Sequence, residues 1–362
     1  MLSPIKDNKN AFDLLRLLLA SGVIIAHAYL LGGYTGHDFL NIFSKGQACL
    51  ADLCVMGFFV LSGYLITASY QRSGNLVSFI IHRILRIYPG FWVCLLVTGF
   101  GFTWLISILS NTRAYTFTGH NSSFSYFYNN IFTRINQWSV GGVLSKNAYT
   151  TSINGSLWSL YPEVQCYLLT LALGWFGLFN KHKSIVLGLF ALVLFVFVSK
   201  EYFNTDTGPT FLYLSNALML YAAYLGGTTL FLFKDYINND KKLLISVGLA
   251  TLLLLRFGGF LLLSPLLISY LLIYFFQSFT VTFKYDVSFG VYIYGFPIQQ
   301  ALYLYFGNRL PVLFFILISL SIALVIGFLS FILVERHFIR FRKPADNYLK
   351  NHWPAIFKNH SV

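Results

Sequence analysis

The sequence has little charge: Asp, Glu, Lys and Arg together make up only 10% of its 362 residues. Hydrophobic residues account for 57%, and the mean hydropathy is +0.67. A chain of this composition cannot cover a water-soluble domain with polar side chains, so an ordinary globular protein is excluded. The composition predicts an integral membrane protein. The 19% of aromatic residues agree, because Trp and Tyr collect at membrane interfaces.

Cysteine is also scarce, with four residues at positions 49, 54, 94 and 166. They lie in or beside apolar segments and show no C-x-x-C spacing, so we expect neither a disulfide framework nor a metal site. Acidic residues number 12 against 25 basic ones, which gives a formal charge of +13. Because the basic residues form short clusters between apolar runs rather than a continuous stripe, we expect no nucleic-acid partner.

Apolar runs long enough to cross a bilayer of roughly 30 Å recur along the chain. They predict an all-α, polytopic membrane bundle of about ten transmembrane helices. The predicted spans cover residues 11–31, 48–69, 84–109, 157–179, 184–199, 210–233, 243–255, 259–281, 287–306 and 310–334. No internal repeat is evident. We expect residues 1–345 to form one membrane domain and residues 346–362 a short cytoplasmic tail.

Basic residues concentrate on one side of the bundle when ten spans alternate. That side carries Lys6, Lys9, Arg72, Arg83, Arg86, Lys181, Lys183, Lys234, Lys241, Lys242, Lys284, Arg336, Arg340, Arg342 and Lys343. Because Lys and Arg are enriched in cytoplasmic loops, both termini are predicted to be cytoplasmic. The longest connection, residues 110–156, then lies outside. Its Asn, Ser, Thr and aromatic residues suit either a sugar-binding surface or an interfacial aromatic belt.

The first span places two ionisable side chains on one helical face. Arg16 and His27 are eleven residues apart, which brings them back to the same side of the helix at an axial separation of about 16 Å. Arg16 therefore lies near the cytoplasmic surface and His27 in the outer leaflet. Ionisable groups at such depths are costly, so we expect both to face the protein interior or a wet cavity.

The fourth span carries a carboxylate at a depth close to that of His27. Glu163 is about 9 Å below the outer surface and His27 about 6 Å below it, at 1.5 Å per residue. A glutamate beside a histidine can fix the imidazole tautomer and stabilise the imidazolium, as a general base requires. The alternative is a His–Glu pair that only tethers two helices.

Two further arginines stand at the cytoplasmic start of the third span, in the stretch HRILRIYPGFWV. Arg83 and Arg86 are three residues apart and therefore neighbours on one face. Together with Arg16 they could clamp phosphate groups. The alternative is ordinary cytoplasmic anchoring of the span. Pro89 predicts a kink or a helix boundary.

In their order along the chain these features resemble the membrane acyltransferase-3 family, the bacterial O-acetyltransferases that modify cell-surface polysaccharides. The resemblance covers about residues 11–340. It rests on the R-x10-H pattern of Arg16 and His27, on R-x-x-R at Arg83 and Arg86, on GFFVLSGYLI, on LWSLYPEVQCYLL and on VERHF. One departure is Gly295 in VYIYGFPIQQ, where family members often carry a histidine before the proline.

The resemblance implies transfer of an acyl group, most simply acetyl, from cytoplasmic acetyl-CoA to a hydroxyl of a surface or exported glycan, possibly lipid-linked. It implies that Arg16, Arg83 and Arg86 bind the coenzyme phosphates. His27 would be the general base or a transient acetyl carrier, with Glu163 orienting it. It also implies a bacterial inner-membrane location, among membrane lipids. The acetyl-CoA is a donor substrate, and no metal is required.

Two other classes of protein fit the same residues. Buried Arg, His and Glu in a ten-span bundle also describe a proton-coupled secondary transporter of a polar solute, although no repeated halves with broken helices are evident. A structural partner in a polysaccharide-export assembly is the third possibility. Turnover of acetyl-CoA by the purified protein would separate the enzyme from both. The sequence sets neither the acceptor glycan nor the oligomeric state.

Overall fold

A computed structural model describes residues 11–34, 37–73, 75–112, 115–203, 215–237, 240–281, 283–307 and 309–352. These residues form helices and, within the ranges described, no strand. The α-helices are α1 (Phe12–Leu31), α2 (Phe39–Phe43), α3 (Leu50–Arg72), α4 (Leu76–Leu96), α5 (Thr103–Leu109), α6 (Ser123–Asn129), α7 (Leu160–Trp175), α8 (Lys183–Phe203), α9 (Ser215–Leu232), α10 (Lys241–Phe257), α11 (Phe260–Gln277), α12 (Ser288–Phe306), α13 (Val312–Ser330), α14 (Arg336–Arg340) and α15 (Arg342–His352).

The prediction of an all-α membrane bundle is confirmed. Each predicted span has a helix at its place, and the third begins at Leu76 rather than at residue 84. Six helical segments are long and apolar enough to cross a bilayer: Phe12–Leu31, Leu50–Arg72, Leu76–Leu109, Lys183–Glu201, Phe260–Gln277 and Val312–Leu349. The remaining predicted spans correspond to α7, α9, α10 and α12. The count of ten crossings and the side of the termini stay predictions.

Two helices change pitch without breaking. A π-helical segment, Val97–Phe102, joins α4 to α5 in one continuous rod, and a second, Phe331–Glu335, joins α13 to α14. Pro89 lies inside α4, so it does not mark a helix boundary. A π segment adds a residue to the turn and thereby rotates the side chains that follow it. The second segment ends on Glu335, whose side chain is buried.

Glycines allow α3 and α9 to approach at backbone distance. A Cβ atom on Gly63 would overlap the carbonyl of Tyr224, and one on Gly227 would overlap the carbonyl of Val60. In a membrane the hydrophobic effect does not drive helices together. Small residues at helix contacts stabilise their association instead, because they let the helices pack closely. On its other sides α3 contacts α1 and α11, while α1 also contacts α12 and α13. Helix α1, which carries Arg16 and His27, therefore lies in the centre of the bundle.

The domain boundary predicted at residue 345 falls within helix α15, which packs on α4, and the division into domain and tail stays a prediction. Asp346 accepts a hydrogen bond from Ser78, and its Oδ1 lies 3.1 Å from Nε2 of His82. The predicted tail beyond His352, the basic residues Lys6, Lys9 and Arg113, and the first residues of the predicted span 210–233 lie outside the described residues.

The connection predicted to lie outside, here called the outer connection, is described over residues 110–112 and 115–156, and several of its amides bond to the connection itself. Helix α6 begins with a capping box between Ser122 and Ser125. Gln137 donates to the carbonyls of Ser122 and Ser139, and Asn130 donates to the carbonyl of Gln137. The aromatic side chains Phe117, Phe124, Tyr128 and Phe132 are exposed. Exposed aromatic rings are thus present on this connection beside exposed amides such as Asn129 and Asn136, which leaves both interpretations of it open.

Candidate active site

A cavity of about 140 Å³ opens between α1, α3, α4, α7 and α12. A single water needs roughly 10–15 Å³ of such space, so the cavity holds several waters or a slender ligand. Most of its wall is apolar, from α3 and from Phe289 of α12. The polar lining residues are Arg16, Ser62, Arg83, Arg86, Ser159, Glu163, Tyr167, Ser288 and Tyr292. The structure therefore brings the three predicted phosphate-binding arginines and Glu163 to one cavity.

Arg86 and Arg16 are held by carboxylates. Nη2 of Arg86 lies 2.7 Å from Oδ2 of Asp286, and Nη1 of Arg16 lies 3.4 Å from the same oxygen. Arg16 also pairs with Asp13 at 2.6 Å. Burial alone would raise the pKa of Asp286, but the charges of Arg86 and Arg16 and a hydrogen bond from Ser288 lower it to about 2. Asp286 is therefore ionised at any physiological pH and fixes both arginines.

A second carboxylate approaches Arg86 from the π-helical segment between α13 and α14. Oε2 of Glu335 lies 3.9 Å from Nη1 of Arg86, and Oε1 accepts a hydrogen bond from Ser330 at 3.2 Å. The side chain of Glu335 is only 1% exposed. The π-helical segment that ends on this residue turns it inward. Neither Asp286 nor Glu335 was among the predicted site residues. An acidic residue next to an apolar helix, in a chain with three arginines in or beside its predicted spans, was the available signal.

Arg83 has a different environment from Arg86. Its Nη2 lies 3.4 Å from Oγ of Ser69, and its Nε is buried with no hydrogen-bond partner. The guanidinium lies 5.5 Å from the ring centre of Phe79 and 5.9 Å from that of Tyr167. No carboxylate in the described ranges forms an ion pair with it. Arg83 thus has unused hydrogen-bond donors beside the cavity.

Glu163 and His27 are not in contact. Glu163 accepts a hydrogen bond from the hydroxyl of Tyr167 at 2.5 Å and shares the cavity with the arginines. The ring of His27 packs edge-on against Phe296, with the ring centres 5.1 Å apart. No hydrogen bond or ion pair joins His27 to Glu163 across the described part of the chain. The prediction of this contact used depth alone. Depth gives the position of a side chain along the helix axis, but the rotation of the helix decides the direction in which the side chain points.

His27 lies beyond the outer end of the cavity, as the residues of α12 show. Tyr292 lines the cavity, and Phe296, which contacts His27, is one helical turn or about 6 Å further along α12. The Tyr292 hydroxyl is hydrogen-bonded to Ser159 Oγ at 2.7 Å. One aromatic layer therefore separates the arginine-lined cavity from the predicted catalytic histidine, which is half-buried.

Helix α12 approaches α1 closely just before His27. A Cβ atom on Gly295 would lie 2.6 Å from Cγ1 of Ile24, so a side chain there would require Ile24 to move. One turn further, Gln299 donates a hydrogen bond to the carbonyl of Ile24 at 2.8 Å. A glycine in place of the histidine frequent in the family thus allows α12 to pack on the turn that precedes His27.

Buried amides fix the outer connection above His27. Gln300 donates to the carbonyls of Tyr149 and Ser152 at 2.9 and 2.7 Å, and Asn147 donates to the side-chain oxygen of Gln300 at 2.7 Å. Asn154 donates to the carbonyl of Ile293 at 2.8 Å. These neutral side chains were not predicted, because single amides in apolar runs give no periodic signal. In the described ranges no cluster of three His, Cys, Asp or Glu side chains is placed to hold a metal.

An apolar helical bundle around a cavity with three arginines, and with a half-buried histidine beyond it, defines the class of protein. Residues 9–334 match the family described as an acyltransferase domain, and the chain belongs to this family. It is an integral membrane acyltransferase, and the resemblance drawn from its motifs is confirmed.

Particular relatives agree with this assignment. An O-acetyl transferase of Shigella phage Sf6 is 28% identical over 92% of this chain and 97% of its own length. Nodulation protein 10 of Rhizobium leguminosarum bv. viciae is 29% identical over 56% of this chain and 57% of its own length. No solved structure matches the chain.

Proposed function

We propose that this protein transfers an acetyl group from cytoplasmic acetyl-CoA to a hydroxyl group of a surface or exported glycan. The observation that carries the proposal is the arrangement of one cavity, with Arg16, Arg83 and Arg86 in its wall and His27 one aromatic layer beyond it. Cations suit the phosphates of the donor, and a histidine suits the activation of a hydroxyl. The similarity to the O-acetyl transferase of phage Sf6 supports acetyl as the group that is transferred.

In the proposed topology the chain crosses the bacterial inner membrane ten times with both termini in the cytoplasm. The arginines then face the cytoplasmic donor, and His27 and the outer connection face the acceptor, which can be lipid-linked. The exposed aromatic rings of that connection, such as Phe124 and Tyr128, offer faces on which a sugar can stack. Matched cysteine variants test this topology. Tyr128→Cys should react with a membrane-impermeant thiol reagent added outside, whereas Tyr236→Cys, also exposed, should not. The reverse labelling would overturn it.

The reaction needs one proton transfer and one carbonyl substitution. His27 accepts the proton of the acceptor hydroxyl, the oxygen attacks the thioester carbonyl, the carbon–sulfur bond breaks, and the coenzyme thiolate takes up the proton. In the second route an imidazole nitrogen attacks the thioester carbonyl, and the carbon–sulfur bond breaks to release the coenzyme thiolate. The acceptor hydroxyl then attacks the acetyl-imidazole, the carbon–nitrogen bond breaks to restore the imidazole, and the hydroxyl proton passes to the thiolate. The contact of Glu163 with Tyr167 supports a role at the cavity, so Glu163 would act on His27 through the bound donor or after a movement of the side chain.

The decisive experiment is a transfer assay on the purified protein in neutral detergent with radiolabelled acetyl-CoA and a glycan acceptor extracted from cells. Release of coenzyme A together with label in the glycan is the expected result. Mass analysis of surface glycan from cells with and without the gene then reports the acyl group and the acceptor together. If the protein neither consumes acetyl-CoA nor changes the glycan, the proposal fails, and transport or a structural role takes its place.

A further inference from the structure

Arg342, the first residue of α15, is half-buried, and the acidic charge that acts on it comes from Asp346, one turn further along the same helix. Its Nε is buried and has no hydrogen-bond partner. No carboxylate forms an ion pair with it in the parts of the chain that are described. A buried donor that is left unpaired costs free energy, so such a group usually has a partner that is a water or a ligand. Arg342 played no part in the predicted phosphate site.

The docking of α15 on α4 directs Arg342 toward the arginine cavity. Asp346 anchors the helix through Ser78 and His82. Arg342 lies one turn before Asp346 and therefore on the same face of α15. Burial and the charges of Arg83 and Arg86 lower the pKa of the Arg342 guanidinium, while Tyr167 and Asp346 raise it. The contact of α15 with α4 thus places another cation near Arg83, next to the residues that line the cavity.

The arginines near the cavity fall into two groups. Arg86 and Arg16 share the carboxylate of Asp286, and Arg86 is also close to Glu335. Arg83 and Arg342 form no ion pair with a carboxylate of the described residues, and each has a buried Nε without an acceptor. Nearby like charges repel, and an anion that binds both would remove that repulsion. Asp346 also binds Ser78 and His82, so the least compensated positive charge is at Arg83 and Arg342.

We propose that Arg83 and Arg342 together bind the phosphate groups of the acyl donor, while Asp286 and Glu335 keep Arg86 and Arg16 in place. The proposal rests on the proposed function, because it takes acetyl-CoA as the donor. A guanidinium presents a planar fork of N–H donors that matches two phosphate oxygens. Two such forks on different helices suit a diphosphate. Binding of the donor would then also hold α15 against α4.

The test compares Arg342→Ala with Lys343→Ala in the purified full-length protein in neutral detergent. Both variants remove one positive charge from the start of α15, but the side chain of Lys343 is exposed. We expect Arg342→Ala to raise the KM for acetyl-CoA about tenfold or more, as the loss of a charge-assisted hydrogen bond predicts, with kcat changed less than about twofold. Lys343→Ala should keep the KM of the wild type. An unchanged KM in Arg342→Ala overturns the proposal.

A second measurement does not depend on turnover or on the alanine variant. Inorganic pyrophosphate should raise the thermal unfolding temperature of the wild type, and it should do so less in Arg342→Lys, which keeps the charge but lacks the fork. If acetyl-CoA is not consumed but pyrophosphate still discriminates the two proteins, the proposed function fails and the phosphate site stands. If the variant behaves as the wild type, or differs from it only when anionic lipid is added, the donor site is disproved.

Discussion

The two ends of the candidate site differ in the kind of polar group they contain. Toward the arginines the groups are ionic: Arg16 and Arg86 are joined by Asp286, and Glu335 lies beside them. Around His27 they are neutral: the amides of Gln299, Gln300 and Asn154 bind backbone carbonyls, and Phe296 packs on the imidazole.

The difference indicates which reactant each end can recognise. Fixed cations hold a charged ligand such as a phosphate through strong, charge-assisted bonds. A neutral end of low polarity leaves the imidazole without a fixed counter-ion, so that it can exchange a proton with a hydroxyl. Four substitutions would break or sharpen this comparison, and they are taken from the largest expected effect to the smallest.

Replacing the histidine of the neutral end should have the largest effect. His27→Ala should lower the transfer rate by 10²–10⁴-fold, about the contribution of a general base, with the affinity for acetyl-CoA unchanged. His182→Ala is the matched control, since that histidine is exposed in the connection between α7 and α8. The measurement is acetyl transfer in membranes together with the amount of inserted protein. Normal transfer in His27→Ala would show that the neutral end of the candidate site takes no part in the reaction.

Glu163→Gln tests whether Glu163 acts in catalysis, with His27, or in donor binding, with the arginines. The variant keeps the acceptor for the Tyr167 hydroxyl but removes the negative charge beside the arginines. We expect kcat to fall about 100-fold, while the KM for acetyl-CoA stays equal or decreases because a repulsive charge is lost.

Combining the variant with His27→Ala provides the control for Glu163. If the two residues serve one step, the double variant is no slower than His27→Ala alone. Losses that multiply would show that Glu163 acts separately from the histidine, and near-normal kcat in Glu163→Gln would withdraw it from catalysis altogether.

Arg86→Ala should destabilise the protein more than it changes donor binding. Removal of the guanidinium leaves Glu335 without a cationic partner in a buried place and leaves Asp286 with Arg16 alone, at a cost of about 3 kcal/mol. The double variant Arg86→Ala/Glu335→Gln should recover part of that loss, because the unpaired carboxylate of Glu335 is gone. Thermal unfolding in detergent measures both. A single variant as stable as the wild type would contradict the ionic network.

The smallest effect is the pH dependence due to Asp286. Its folded pKa of about 2 is below its ordinary value of 3.8, so the ionised form stabilises the fold. This contribution, about 2 kcal/mol, is fully present above pH 4 and is lost as the pH falls toward 2. Asp286→Asn should therefore unfold at a lower temperature than the wild type at pH 6. The gap should close on acidification, and a gap that is independent of pH would exclude the ion pairs as its cause.

Some of the site followed from the sequence because it depends on composition and spacing along one helix. The spacing of eleven positions from Arg16 to His27 places both on one face of α1 whatever the neighbours do. The spacing of three positions from Arg83 to Arg86 makes them adjacent on α4, and both line the cavity. The contact between His27 and Glu163 did not follow, since the rotation of α7 relative to α1 depends on packing among several helices.

The sequence by itself determined that this is a membrane protein, that it is helical and to which family it belongs. These properties depend on the length of hydrophobic runs and on the order of residues, which can be read along the chain without knowledge of its packing. Only the tertiary structure decided which charges meet. Asp286, Glu335 and Arg342 come to the arginines of α4 from positions about 200 or more residues away, through the packing of α12 and the final helices on α4. Such contacts depend on helix rotation and on a π-helical turn, and neither leaves a periodic mark in the sequence.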